Sequence, residues 1–410
     1  MSKKRIGVRR TKKRIYLDHA AATPLDSVIA GEIQKREKNT YGNPSALHKE
    51  GLLARELIEQ SRALLADGLG ISPKEVIFTS GATESNVLAI CGVVDTALKQ
   101  KVTRDNKPHV IVSAIEHASI LETCRKLVEE NKIEITYVPV LSNGIVDLKV
   151  LKDSLKKETV LVSIQYVNNE IGVIQPLKEI AKLIRHHKKS MDSKVFPYFH
   201  TDAVQAVNYC DVHVSRLGVD LMTINSGKIY GPKGIGALVI RRGNTVVPQQ
   251  TGGGQEFGIR SGTENTMGIF GFSSAFKKAQ QLREKESTRL RMLRDWYVGE
   301  LRKHFPNIRF NGDLNARVPN NINITLPGHE SEELVLRLDA RGIAVSAKSA
   351  CDSTSGEVSH VIRALYPDAD MQSSEGSLRI SMGRNTTREE LKKSLQALVE
   401  ASKIMLDTHV

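Results

Sequence analysis

Residues 220–236 read DLMTINSGKIYGPKGIG, and the fold is decided there. Leu221 to Ile224 is an apolar run that predicts a strand. Asn225, Ser226 and Gly227 break it, and Lys228 follows at once. Gly231, Pro232, Gly234 and Gly236 then forbid a regular helix and predict a compact turn. A lysine at a strand end among small residues has its stem enclosed and its amine turned to a cavity. An ordinary lysine titrates near about 10.4 and is a poor nucleophile at neutral pH. Burial or a neighbouring cation lowers that value and lets the amine bond a carbonyl carbon. On its own such a lysine reads more readily as a surface group, since lysines are mostly exposed; its neighbours in the chain reverse the weight.

The same punctuation recurs on both sides of it. Glu75 to Thr79 (EVIFT) reads as a strand and the chain from Asn86 (NVLAICGVV) as a helix, with SGATES between them. Strand, small residues and helix start present backbone N–H groups and a helix dipole to an anion. Gly81, Ala82 and Thr83 form that cradle, and a plain helix cap is the simpler reading of the same residues. The P-loop pattern is absent. His109 to Ile115 is a strand ending at Glu116 and His117, and Val160 to Val167 a strand ending at Asn168. Tyr198 to Thr201 ends at Asp202, with Gln205 three residues on. Helical patterns such as Leu52 to Leu69 and Leu177 to His187 lie among these strands. Alternation of this kind predicts a mainly parallel sheet covered on both faces, with ligands bound at the carboxyl ends of the strands. Any one of these polar residues could be a satisfied structural group. Thr83, His117, Asn168, Asp202, Gln205 and Lys228 all arriving at one edge is a different matter.

After Gly252 the composition changes. TGGGQEFGIRSGTEN (251–265) is a Gly-rich loop containing Thr263, and Ser273 to His304 reads as a long connecting helix. Asn320 to Leu326 (NNINITL) starts a second, smaller α+β unit. Cys351 lies in a loop of Ser, Ala, Lys, Asp and Gly, close to Lys348; a thiol near a cation favours thiolate. Cys91 and Cys124 lie in helical stretches and read as packing. Arg379, on the strand pattern SLRIS, can hold a carboxylate bidentately.

Bulk composition narrows the classes. The 410 residues predict two domains. No run of 18 apolar residues spans a membrane. The net charge of +13 invites a nucleic-acid reading, but the first 14 residues hold eight Lys and Arg and no acid. Without them 51 basic residues face 46 acidic ones, and a nearly balanced body argues against nucleic-acid binding. The tail lacks the apolar segment of a secretory signal, and it contains one Ser, which is sparse for an organellar presequence. The four cysteines show no CxxC spacing, which predicts free thiols in a reducing, cytoplasmic setting and no metal site.

One ligand answers the whole set. The SGAT turn, Thr83 and Ser226 ask for a phosphate, Lys228 for an aldehyde, Asp202 for a cation and His117 for a flat ring. Pyridoxal 5′-phosphate has all four. The motifs YLDHAA, YGNPS, FTSGATES, EHAS, VNNEIGVIQP, HTDAVQA, KIYGPKGIG, GGGQEFGIRSGTEN and SAC, in this order, closely resemble cysteine desulfurases of the NifS/IscS type. The resemblance implies a homodimeric fold-type I enzyme of the class V aminotransferase group. Its large domain would span 18–271 and its small domain 272–410, with 1–17 a basic tail and a segment joining the small domain. It would use pyridoxal 5′-phosphate to take sulfur from L-cysteine, leaving L-alanine and a persulfide on Cys351. A sulfur-acceptor protein, such as an iron–sulfur scaffold or a tRNA-thiolation relay, would collect it.

By position, the resemblance makes Lys228 the Schiff-base lysine, His117 the stacking proton carrier and Asp202 the partner of the ring nitrogen. Gln205 and Asn168 match residues near the ring oxygen, and Gly81, Ala82 and Thr83 match the phosphate cradle. Thr263 matches a phosphate ligand from the other subunit, and Arg379, with Asn43 nearby, the holder of the substrate carboxylate. The chain departs from the pattern before the lysine, where Ser-x-His is replaced by Asn225, Ser226 and Gly227; Asn225 and Ser226 are the compensating candidates. It departs again where the usual Gly-Ser-Ala-Cys reads Lys348-Ser349-Ala350-Cys351. Selenocysteine lyase or aminotransferase activity on the same fold is the alternative, and a non-catalytic platform for partners or RNA the remote one.

Overall fold

Short apolar runs bounded by turn residues pair into strands, where a sheet buries both faces and satisfies the backbone polar groups. A computed structural model describes residues 14–103, 106–193, 195–347, 359–367 and 376–406. Numbered along the chain, the strands are β1 (Ile15–Tyr16), β2 (Val76–Thr79), β3 (His109–Ser113), β4 (Glu134–Val138), β5 (Thr159–Ser163), β6 (Tyr198–Asp202), β7 (Leu221–Asn225), β8 (Gly236–Ile240), β9 (Arg309–Phe310), β10 (Asn321–Thr325), β11 (Ile343–Ala344) and β12 (Ser377–Ser381). The central sheet has seven strands in the order β2-β8-β7-β6-β5-β3-β4. All neighbours are parallel except β8, which is antiparallel to β7 and β2. The connection from Lys228 to β8 is too short for a crossover helix, which takes about a dozen residues. The GPKGIG turn therefore returns the chain directly beside β7.

Helices cover both faces. α1 (Ser27–Glu37), α2 (Lys49–Leu69), α5 (Leu148–Ser154), α6 (Leu177–Ser190), α7 (Val214–Leu217) and the first turns of α8 (Thr266–His304) pack on one face, with Leu65, Ile184 and Phe272 in the core. On the other, Leu88 and Val93 of α3 (Ala82–Lys99) meet Ile120 and Leu127 of α4 (Ala118–Glu129). Two buried histidines rivet the strands. His200 on β6 bonds Ser163 on β5 and Thr223 on β7, and His109 on β3 bonds Thr159 on β5 and Thr136 on β4. Burial holds them neutral, with pKa values pushed down to about 3 and about 4.

Several elements differ from their predicted bounds. α3 begins at Ala82 rather than Asn86, because the Glu84 carboxylate reaches back to Ser80 N and caps the turn. The strand predicted over 160–167 ends at Ser163, and the one predicted over 109–115 ends at Ser113. α8 starts at Thr266 rather than Ser273, capped by Asn265 on Gly268 N.

The second unit is a three-stranded antiparallel sheet β12-β10-β9 with α9 (Ser331–Ala340), α10 (His360–Leu365) and α11 (Arg388–Leu406). β1 pairs in parallel with β11, and Leu17 lies in this unit's core. Phe276 and Ala279 of α8 pack in the large core and Leu290 and Tyr297 in the small one, so the two cores meet partway along this helix.

The Gly-rich loop of 251–265 is pinned by a buried ion pair. Arg62 on α2 donates to both carboxylate oxygens of Glu256 at 2.8 Å and to Val76 O, and Phe78 N donates to the same carboxylate. The pair holds Glu256 and Phe257 at φ 50° and 59°, in the left-handed region. Removing one partner strands the other charge. Arg62→Ala is expected to lower unfolding stability by about 3–5 kcal/mol. Urea denaturation measures this, and a loss below about 1 kcal/mol would show that the pair contributes little.

Candidate active site

A cavity of about 320 Å³ opens at the carboxyl ends of the parallel strands. That size suits a small cofactor with its substrate. Its lining includes Gly81 and, from the start of α3, Ala82 and Thr83, His117 after β3, Asp202 at the end of β6 with Gln205 beyond it, Asn225 at the end of β7 with Lys228 beyond it, and Arg379 from β12. Strands far apart in the chain deliver the groups of the central sheet to one edge because parallel pairing stacks their carboxyl ends together, and Arg379 arrives from the second sheet.

The lysine is roofed by the motif YLDHAA. Lys228 Nζ donates to the carbonyls of Ala20, at 3.1 Å, and Ala21. Gln205 Nε2 donates to Ala20 O as well, at 2.9 Å. Thr23 ties this segment down: its hydroxyl donates to Gly227 O at 3.1 Å and accepts from Tyr230 N at 2.7 Å. Asp202 accepts from Val204 N at 3.0 Å and from Asn86 Nδ2 at 2.9 Å. Nearby Glu116 is fully buried, and burial pushes its carboxyl up to about 8. It is therefore largely protonated at neutral pH. Arg379 Nη2 donates to Asp18 Oδ1 and Nη1 to Asn169 O, both at 2.9 Å. Its Nε has no partner, a donor that a carboxylate can take.

Gly81, as the N-cap of α3, has no side chain to satisfy the helix's first N–H groups. β8 approaches so closely that a Cβ at Gly236 would lie 2.9 Å from Gly81 Cα. Glu84 and Arg260, bonded at 2.7 Å, tie the Gly-rich loop to this rim.

Some predicted residues are not brought in. Asn168 is buried away from the cavity: its carboxamide donates to Ile115 O and accepts from Glu170 N and Ile171 N. Asn169 lines the cavity instead. The Ser226 hydroxyl is also turned away. It is fully buried without a hydrogen-bond partner and sits where a Cβ on Gly231 would be, 2.1 Å from it. Asn225 alone of that pair faces the cavity, and its Oδ1 accepts from Gly227 N. Asn43 is exposed and caps Ser45 N, and Thr263 is exposed outside the lining. At Gly227 an added Cβ would meet nothing closer than Lys233 Cγ at 3.6 Å, so that position has room for a side chain.

Cys351 and Lys348 lie outside the described residues, as does the tail before Arg14. The chain on either side of 348–358 is held to the site. Ser346 pairs with Arg379 backbone to backbone, Ser359 Oγ donates to Glu170 Oε2 at 2.6 Å, and His360 Nε2 bonds Glu116 O at 3.1 Å. Sequence reading missed Asp18, Gln165, Asn169 and the Ala20 and Ala21 carbonyls. YLDHAA and VNNE carried the signal for Asp18 and Asn169, but carbonyls leave none in the choice of side chain.

The model of the aminotransferase class-V family matches residues 15–393. This chain belongs to that family. A cysteine desulfurase IscS of Dictyoglomus turgidum is 42% identical over 387 residues, covering 94% of each chain. The human cysteine desulfurase is 40% identical, with 94% of this chain and 81% of that protein covered. Among solved structures, a NifS-like protein superposes with a TM-score of 0.86 at 31% identity, over 96% of this chain and 100% of that one. SspA, solved in complex with cysteine, gives 0.74 at 31% identity, over 90% and 99%. The cavity fits pyridoxal 5′-phosphate, the cofactor of such enzymes. An amine for the aldehyde, a carboxylate for the ring nitrogen, an imidazole for the ring face and uncapped N–H groups for the phosphate converge on one space.

Proposed function

We propose that this chain is a cysteine desulfurase that converts L-cysteine to L-alanine and keeps the sulfur as a persulfide on Cys351. The observation that carries the reading is the amine of Lys228 in one cavity with Asp202, His117 and Arg379. Pyridoxal 5′-phosphate, when bound, supplies the electron sink for chemistry at the substrate's α-carbon. Lys228 would hold it, and the first turn of α3 with Thr83 and Asn225 would take its phosphate. Asp202 would be the carboxylate that favours a proton on the cofactor's ring nitrogen, and Gln205 would be a donor for its ring oxygen. Arg379 orients the substrate carboxylate, and His117 and Lys228 move protons at the substrate carbons. The Cys351 thiolate attacks the substrate sulfur. An S–S bond forms, the C–S bond breaks, and its electron pair returns to carbon, which takes up a proton to become the methyl group of alanine.

We assign the large domain to 18–271 and the small one to 272–410, with 15–17 paired into the latter and the α8 residues Phe272, Phe276 and Ala279 still packed in the large core. Two copies form the working unit; exposed Leu47 and Tyr41, 85% and 74% accessible, support a covered face near Asn43. In that dimer Thr263 completes the phosphate site of the other copy. The sulfur leaves on an acceptor protein, an iron–sulfur scaffold or a tRNA-thiolation relay. A cytoplasmic setting suits the free thiols of Cys91, Cys124 and Cys210. Among the described residues, no helix is long and apolar enough to cross a membrane.

The test is alanine formation from L-cysteine without a keto acid. An aminotransferase needs the keto acid, so dependence on one would overturn the reading. Asp202→Asn is expected to lower alanine formation by about 10²-fold or more while cofactor still binds, since the neutral partner lets the ring nitrogen lose its proton. Near-normal turnover would remove Asp202 from this role.

A further inference from the structure

The site's acid and its histidine are joined by two residues with no assigned role. Asn86 sits on α3, fully buried. Its Nδ2 lies 2.9 Å from Asp202 Oδ2 and 2.9 Å from Ser119 Oγ. Ser119 Oγ in turn lies 2.9 Å from His117 Nδ1, and Ser119 N donates to that nitrogen at 3.1 Å. Donor counting gives the directions. A carboxamide nitrogen has two hydrogens and cannot accept, so one goes to Asp202 and the other to Ser119. Ser119 Oγ has then accepted, and its own hydrogen points to His117. A nitrogen that accepts from a backbone N–H carries no proton in the neutral ring, so that proton resides on Nε2. Asn86 Oδ1 is buried without a partner. Flipping the amide would set this oxygen against the Asp202 carboxylate, acceptor against acceptor, so the orphan follows from serving Asp202.

We infer that Asn86 and Ser119 are positioning residues: one carboxamide holds Asp202 and directs the Ser119 hydroxyl, which fixes His117 as its Nε2–H tautomer. Asp202 and His117 are thereby set as one unit. The inference rests on the functional reading above for its consequence, but its geometry does not. The test is long-range 1H–15N NMR of histidine-labelled holoenzyme, reading the neutral ring of His117. The expected wild-type signature is a protonated Nε2 and a strongly hydrogen-bonded, unprotonated Nδ1. In Asn86→Ala the Nδ1 resonance is expected to move towards that of an unbonded nitrogen, because residue 86 is linked to His117 through Ser119. Ser119→Ala, at the second position of α4, carries the same expectation should Asn86→Ala fail to fold, and Ser119→Thr restores the signal. Alanine formation falls about tenfold in the alanine variants, the worth of one hydrogen bond to a charged group. A protonated Nδ1 in wild type, or an Nδ1 signal indifferent to both Asn86→Ala and Ser119→Ala, would overturn the inference. If the shifts occur but wild type makes no alanine, the relay stands and the desulfurase reading fails.

Discussion

Lys228→Ala is expected to yield a colourless protein that forms no measurable alanine. Among the described residues Lys228 is the only lysine lining the cavity. Its amine is held by the Ala20 and Ala21 carbonyls in the cavity that Asp202 and His117 also line. Substitution removes the covalent hold on the cofactor and a positioned proton carrier together. The second loss alone is worth roughly 10²–10⁴ in rate. Visible absorbance after dialysis measures the hold, and alanine per minute measures the rate. A coloured variant with turnover within tenfold of wild type would end the assignment of Lys228.

Cys351→Ser is expected to bind cofactor and L-cysteine and yet acquire no persulfide sulfur. A hydroxyl at its ordinary pKa does not replace a thiolate as acceptor at a soft atom. The three described cysteines cannot stand in. Burial pushes Cys124 and Cys210 up to about 12 and Cys91 up to about 11. At neutral pH each is thiolate in roughly one molecule in 10⁴ or fewer. Serine at any of those three positions is therefore expected to leave activity intact in folded protein. Mass spectrometry after incubation with L-cysteine, without reductant, locates the added sulfur atom. Sulfur on Cys91, Cys124 or Cys210, or wild-type alanine formation by Cys351→Ser, would overturn the mechanism.

The pair Asn168 and Asn169 shows where reading from residues stops. The sequence offers two identical side chains in adjacent positions. Which one enters the cavity is decided by the turn after β5, where Asn168 Oδ1 accepts from two backbone N–H groups and is consumed by them. Ser226 is a similar case: its hydroxyl is turned towards Gly231, away from any phosphate. Asn86 and Ser119 were invisible for another reason. A polar residue early in a helix reads as a capping or surface group, and their partners lie 116 and 33 residues from Asn86 along the chain.

What the sequence by itself determined was everything with a local cause. Apolar runs and Gly-Pro punctuation set the alternation of strands and helices, and alternation requires parallel pairing, which gathers strand ends. Lys228, Asp202, Gln205 and His117 follow strand ends, so their convergence needed no coordinates. Arg379 sits within β12, and its arrival at the same cavity belongs to the docking of the second sheet. Tertiary structure alone decided how side chains close to one another in the chain divide their hydrogen bonds, and which carbonyls roof the lysine. It also set where along α8 one core gives way to the next. Those outcomes depend on groups that meet only after folding, and each buried donor or acceptor is claimed by whichever partner the packing brings within about 3 Å.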